Sequence, residues 1–137
     1  MRIELIEELK NISILCVEDE FGIRQSIVNT LKYYFKDVYE ASNGKEAFEL
    51  YTYHKPKIVI TDIQMRDGDG IELVKKIREN DFETMLIMLT AHSTEEYLMD
   101  LINLNINHYI LKPLNLTKLS IALEKYLIKS LKPVMLS

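Results

Sequence analysis

The residues of this chain with chemical potential sit where apolar runs stop. Glu18 and Asp19, followed by Glu20, come directly after Ile14-Leu15-Cys16-Val17. Asp62 follows Ile58-Val59-Ile60-Thr61, Thr90 follows Met85-Leu86-Ile87-Met88-Leu89, and Lys112 stands before Pro113. Acidic side chains gathered in one place repel and raise one another's pKa unless a cation joins them. A hard divalent ion relieves that repulsion, and Mg2+ does so with one or two carboxylates while keeping several waters. A lysine ammonium beside such a centre pairs with phosphoryl oxygens, and a threonine hydroxyl or a backbone N–H donates to them. A metal and a lysine around one carboxylate suit phosphoryl transfer, where positioning and charge neutralisation carry most of the catalysis. An aspartate acting as the nucleophile yields an aspartyl phosphate. Taken singly, each residue has an ordinary role. An acid pair or a threonine after a strand caps a helix, an aspartate makes a turn, and a lysine before proline decorates the surface. The chemistry requires all of them to share one edge of one sheet.

The surrounding pattern supplies such an edge. Strands are expected over residues 13–17, 38–41, 58–61, 85–89 and 108–111. The runs at 14–17, 58–60 and 85–89 are continuously apolar, which suits strands buried on both faces of a parallel sheet. Between them, apolar residues recur at helical spacing: Ile23, Ile27, Leu31 and Tyr34; Ala47, Leu50 and Tyr51; Ile71, Val74 and Ile77; Leu98, Leu101 and Ile102; and Leu116, Leu119, Leu123 and Leu127. Asp81, and Ser93 or Thr94, stand at plausible breaks and caps. Asn105 follows Leu104, where the fourth of these helices is expected to end in a left-handed residue. The alternation of strands and helices predicts right-handed crossovers and a parallel sheet covered by helices. In such a sheet ligands bind beyond the carboxyl ends of the strands, and those ends carry Glu18-Asp19-Glu20, Asp62, Thr90-Ala91 and Lys112-Pro113. Near the start, Leu5, Ile6 and Leu9 could form a short amphipathic helix, although a loosely packed connector is the expectation. After Lys132-Pro133 too few residues remain for an output domain.

Composition narrows the class. The 137 residues are 47% hydrophobic and 28% charged, with a net charge of −4. That fits one globular domain and argues against direct nucleic-acid binding, which favours a basic surface. The single cysteine, Cys16, excludes an internal disulfide and a multi-cysteine zinc site and reads as a small core residue. His54, His92 and His108 are too dispersed for zinc. His54 reads as solvated, His108 as structural, and His92 as a surface-loop residue near the mouth of the site. Most Met and Tyr residues fall on expected core faces. No apolar run approaches the ~20 residues that span a bilayer, so no membrane association is expected. No signal peptide is read at Met1-Arg2-Ile3-Glu4, and a reducing, cytoplasmic setting is the default.

At this point the chain resembles the receiver domain of two-component response regulators, the CheY-like family. The stretches that carry the resemblance are residues 14–20, Asn43-Gly44-Lys45-Glu46-Ala47, Ile60-Thr61-Asp62-Ile63-Gln64-Met65, Asp69-Gly70-Ile71-Glu72-Leu73, Leu89-Thr90-Ala91 and Tyr109-Ile110-Leu111-Lys112-Pro113. It implies a doubly wound (βα)5 flavodoxin-like α/β fold with strand order 2-1-3-4-5. The receiver would occupy residues 13–131, between an extension at 1–12 and a tail at 132–137. It implies Asp62 as phosphoacceptor and Mg2+ held by Asp19, Asp62 and the Gln64 backbone carbonyl, with Glu18 often acting through water. Thr90, the Ala91 N–H and Lys112 would contact the phosphoryl group, and Tyr109 would move as Thr90 shifts. The chain departs from the family at Glu18, where Asp is commoner, at Arg66, where proline is usual, at Gly68, where an apolar residue is usual, and at Asn105, where glycine is usual. Residues 66–70 should therefore form a looser loop, without proline's fixed φ. Gln64 and His92 would flank the site and influence hydrolysis.

The function implied is a signalling switch, not an enzyme with a separate substrate, although it promotes its own phosphorylation and dephosphorylation. A histidine kinase or phosphotransfer protein would supply the phosphoryl group. The face around the fourth helix, fifth strand and fifth helix of the alternation would then control an output domain or partner protein, with Tyr97 a weaker candidate contact. A phosphorylation-linked dimer through that face is a further expectation. Competing readings are a receiver that docks a partner without switching and an aspartyl-nucleophile phosphohydrolase. The phosphohydrolase is disfavoured because the candidate nucleophile lies on the third strand. A flavodoxin is disfavoured because no Ser/Thr/Gly phosphate loop follows Val17.

Overall fold

The computed structural model describes residues 3–66, 70–91 and 98–136. The elements run α1 (Ile3–Leu9), β1 (Ser13–Val17), α2 (Phe21–Leu31), β2 (Asp37–Ala41), α3 (Gly44–His54), β3 (Ile58–Asp62), α4 (Gly70–Arg78), β4 (Met85–Thr90), α5 (Leu98–Leu101), β5 (His108–Leu111) and α6 (Leu116–Leu136). The strands form one parallel sheet in the order β2-β1-β3-β4-β5, as the alternation and the resemblance imply.

Side chains alternate across a strand, and here both faces are buried. Ile14, Cys16, Ile58, Ile60, Ile87 and Leu89 face a core shared with Ile27, Val28 and Leu31 of α2 and Leu119, Ala122, Leu123 and Leu127 of α6. Leu15, Val17, Val59, Leu86 and Met88 face the opposite core, with Ala47 of α3 and Ile71, Leu73, Val74 and Ile77 of α4. Two-sided burial explains the continuous apolar runs. It also fixes the strand register, because a one-residue slip would turn each strand's two sets of side chains over. The register places Val17 beside Ala41 and Thr61, Asp62 beside Leu89, and Thr90 beside Leu111. The carboxyl ends of the strands therefore line up along one edge.

Several local expectations need correction. Leu9 ends α1 fully buried in the first core, so this segment is packed rather than a loose connector. α2 stops at Leu31, and Tyr34 reaches the same core from the turn beyond. α5 ends at Leu101, not near Leu104, so the helical period lapses and Ile102 is exposed while Leu101 is buried. Asn105 does adopt a left-handed backbone, with φ 51°, but Asn103 does so as well, with φ 71°. Tyr33, Tyr53 and Met99 point to solvent. α6 continues past Lys132-Pro133 to Leu136. The suggested caps at Ser93 or Thr94 lie outside the described residues.

At the opposite end of the sheet a buried guanidinium holds the α5–β5 connection. Arg78 donates to the carbonyls of Leu104 (2.7 Å) and Asn105 (2.9 Å) and to that of Asp81 (3.0 Å). Near the site, the return from β3 to α4 is equally tight. The Gly70 N–H donates to the Ile63 carbonyl at 2.8 Å, and a Cβ on Gly70 would lie 2.0 Å from the Asp62 carbonyl oxygen. Only glycine fits without moving backbone. Gly70→Ala should therefore cost roughly 2–4 kcal/mol of stability, measured by urea unfolding. A cost below about 0.5 kcal/mol, the scale of a neutral surface change, would show that this return does not close on Asp62.

Candidate functional site

Three strands deliver side chains to one point. Glu18 leaves the end of β1 with its residue only 1% exposed, and Asp62 ends β3 at 7%. Lys112 follows β5 and sends its ammonium between them. It donates to Glu18 Oε2 at 3.1 Å and to Asp62 Oδ2 in a short contact. The Lys112 backbone is fixed as well, since its N–H donates to the Thr90 carbonyl at 2.8 Å. The Lys112-Pro113 peptide is cis.

Each carboxylate has further partners. Glu18 Oε1 accepts from the Glu20 N–H at 3.3 Å. Its backbone carbonyl accepts from Arg24 at 2.9 Å, and Arg24 also pairs with Glu40 of β2 at 3.0 Å. Asp62 Oδ1 accepts from the Gln64 N–H at 3.2 Å. Asp19 Oδ2 accepts from the Arg66 N–H at 2.9 Å, with the Arg66 Nε at 3.8 Å. Arg66 thus uses the donor that a proline would lack, and the first residue of the expected loose loop is tied down. Residues 67–69 of that loop lie outside the described residues.

The sequence-derived residues fall into distinct groups. Glu18, Asp62 and Lys112 meet directly. Asp19 joins them through the loop after Asp62, and the buried Thr90 through its carbonyl bond to Lys112. Ala91 follows β4 and is exposed. Tyr109 lies on β5 in register with Met88 and is 39% exposed. His92 and Tyr97 lie outside the described residues. His54, expected to be solvated, stacks on Tyr39 with ring centroids 3.8 Å apart. His108 opens β5 half-buried, and burial lowers its pKa. Cys16 is buried, and burial pushes its thiol up to about 12, as suits an inert core residue. Sequence reading did not single out Arg24, and it named Gly70 only within a stretch that carries the family resemblance, without a role of its own. Arg24 donates to the Glu18 carbonyl, and Gly70 leaves room for that of Asp62, roles that residue type and spacing do not announce.

Electrostatics follow from this packing. Burial, and then the neighbouring Asp62 carboxyl, push Glu18 up from 4.5 to about 7 despite Lys112. For Lys112, burial works to lower the pKa, but the hydrogen bonds to Asp62 and Glu18 outweigh it and raise it. Among the described residues no three His, Cys, Asp or Glu side chains form a ready-made metal cluster. Glu18 and Asp62 converge on an ammonium, and Asp19 on Arg66. The donors fit a hard divalent ion all the same. They are carboxylate and carbonyl oxygens, and a cation already occupies the point where two buried carboxylates meet. A cavity of about 290 Å³ adjoins Lys112, lined by Gly22, Ile23, Ser26, Ile27, Pro113 and Leu114 among others.

Comparison with known proteins agrees with this architecture. The family model of the response regulator receiver domain matches residues 14–124. The chain is 35% identical over 115 residues to the chemotaxis protein CheY of Bacillus subtilis, covering 83% of this chain and 96% of that one. It is 33% identical to an uncharacterized response regulatory protein of Staphylococcus epidermidis, covering 81% of this chain but only 44% of that protein. The crystal structure of the N-terminal domain of an uncharacterized protein from Wolinella succinogenes superposes with a TM-score of 0.80 at 28% identity, covering 90% of this chain and 99% of that one.

The raised Glu18 pKa makes the metal-free protein pH-sensitive. With the folded value near 7 above the unfolded 4.5, this group favours folding below pH 4.5, and its contribution is lost as pH rises through 7. His108, whose folded pKa is lowered, acts in the opposite direction, so the comparison must be with Glu18→Gln. In metal-free buffer, the stability of the wild type relative to Glu18→Gln should fall by on the order of 2–3 kcal/mol between pH 4.5 and pH 8. Urea unfolding at both pH values measures this, and a difference that stays flat would contradict it.

Proposed function

This chain belongs to the response regulator receiver domain family, and we propose that its pocket at Asp62 works as a phosphorylation-dependent signalling switch. The observation that carries this reading is the Lys112 ammonium lying against both Asp62 and Glu18 at the carboxyl edge of the sheet. A histidine kinase or phosphotransfer protein presents a phosphohistidine. An Asp62 carboxylate oxygen attacks phosphorus, the new O–P bond forms, and the P–N bond to the donor imidazole breaks. Asp62 is suited to this because its carboxylate is buried and oriented by the Gln64 N–H, yet keeps some exposure.

Asp19, Asp62 and the Gln64 carbonyl would hold Mg2+, with Glu18 acting through water, and the ion would supply neutralisation of the charge on the transferring group. The rest falls to the protein. Lys112 exchanges its contact with Asp62 for one with a phosphoryl oxygen. The Thr90 hydroxyl and the Ala91 N–H donate to the others. Because the Lys112 N–H is bonded to the Thr90 carbonyl, the two residues move as one unit. Tyr109 responds to the Thr90 shift, and the face of α5, β5 and α6 is biased between two arrangements. That face then engages an output domain or partner protein, or a second copy of the chain.

In the same reading the receiver spans residues 13–131 and works in the cytoplasm. Among the described residues no helix is long and apolar enough to cross a membrane. The chain spans 44% of the Staphylococcus epidermidis relative, so any output belongs to this proposal too.

With a small phosphodonor and Mg2+, the folded wild type should gain one aspartyl phosphate by intact-mass spectrometry, and Asp62→Asn should gain none. Lys112→Ala should remain folded and react at least about tenfold more slowly. An unmodified, folded wild type would contradict the switch, and a phosphorylated Asp62→Asn would contradict the assignment of the acceptor.

A further inference from the structure

A second lysine acts on the loop that carries Lys112. Lys118 lies in the first turn of α6, where its backbone N–H donates to the Asn115 side chain at 2.9 Å. Asn115 therefore caps this helix, and Lys118 occupies the third position inside it. That position favours Glu or Gln, whose side chain reaches back to the cap. A cation there also opposes the positive end of the helix dipole. α6 has no acidic residue in its first turn to compensate.

The side chain shows what offsets this local conflict. Lys118 Nζ donates to the Leu111 carbonyl at 2.8 Å and to the Pro113 carbonyl at 3.2 Å. These carbonyls flank Lys112 on either side. Among the described residues β5 is an edge strand paired with β4 alone, and β4 grips the segment through the Lys112 N–H. Lys118 grips it from the other side through the carbonyls. The backbone from Leu111 to Pro113 is thus pinned to β4 and to α6, and the Lys112 side chain projects from the pinned stretch toward Asp62.

We propose that Lys118 is a positioning residue that holds the Lys112 loop against α6, so that the Lys112 ammonium is aimed at the group bound on Asp62. This rests on the phosphorylation reading above. Among the described residues the Lys118 ammonium bonds the Leu111 and Pro113 carbonyls rather than Asp62 or Glu18, and its effect passes through Lys112.

The test separates Lys112-dependent binding from carboxylate-dependent binding. Mg2+ affinity is measured by calorimetry, and beryllofluoride affinity is measured at saturating Mg2+. Thermal unfolding is recorded for every variant. Lys118→Met keeps the stem and removes the ammonium. It should weaken beryllofluoride binding about tenfold and leave Mg2+ affinity within about twofold of the wild type. Lys118→Arg, which keeps a cationic donor, should restore most of the beryllofluoride affinity. If Lys118→Met does not fold, Lys118→Gln takes its place with the same expectation. Unchanged beryllofluoride affinity in the folded variant would overturn the proposal, and so would an equal loss of both affinities. Failure of the wild type itself to bind beryllofluoride would instead overturn the switch reading on which the proposal depends.

Discussion

One ammonium between two buried carboxylates organises this molecule. Burying carboxylates is costly unless a cation and hydrogen bonds meet them. Lys112 meets both Glu18 and Asp62, which join β1, β3 and β5 at a single point. The arrangement is closely balanced. Burial first, and the Asp62 carboxyl second, keep the Glu18 pKa raised even with the ammonium beside it. Under the proposed switch, a divalent cation beside the carboxylates or a phosphoryl group on Asp62 would redistribute this charge.

The fold serves this point by fixing backbone rather than by crowding side chains. The Asp62 carbonyl lies so close to Gly70 that no side chain fits between them. Arg24 holds the Glu18 carbonyl and ties it to Glu40. Lys112 is held by Thr90 through its own N–H, and by Lys118 through the carbonyls on either side. Hydrogen bonds to the backbone thus anchor the residues on which the proposed switch would act.

What the sequence made legible follows from burial. β1, β3 and β4 are buried on both faces, so Ile14 and Cys16 read as apolar alongside Leu15 and Val17, and their strand limits come through nearly residue by residue. Helix ends were harder to read. A helical period reports which face is buried, not where hydrogen bonding stops, so the exposure of Ile102 and the second left-handed residue at Asn103 were not anticipated. The packing of Leu9 was missed because a few apolar residues cannot say whether they reach a core. At the site, the strand ends pointed to Glu18, Asp19, Asp62, Thr90 and Lys112, and the family resemblance assigned their expected roles. The direct pairing of Lys112 with Asp62 and Glu18 was not legible. Nor were the roles of Arg24, Gly70 and Lys118, because Arg24 and Lys118 act on backbone carbonyls, which side-chain types do not announce, and Gly70 acts through backbone shape alone.

In the proposed reading, residues from separate strands form one pocket able to hold a divalent ion against the acceptor aspartate. Substoichiometric Mn2+, added to isotope-labelled protein and followed by paramagnetic broadening of amide resonances, tests it most directly. The signals of Asp19, Asp62, Gln64 and their immediate neighbours should broaden first and together, and recover when excess Mg2+ is added. Broadening scattered over unrelated surface acids such as Asp37 and Glu49, with these signals unaffected, would contradict it.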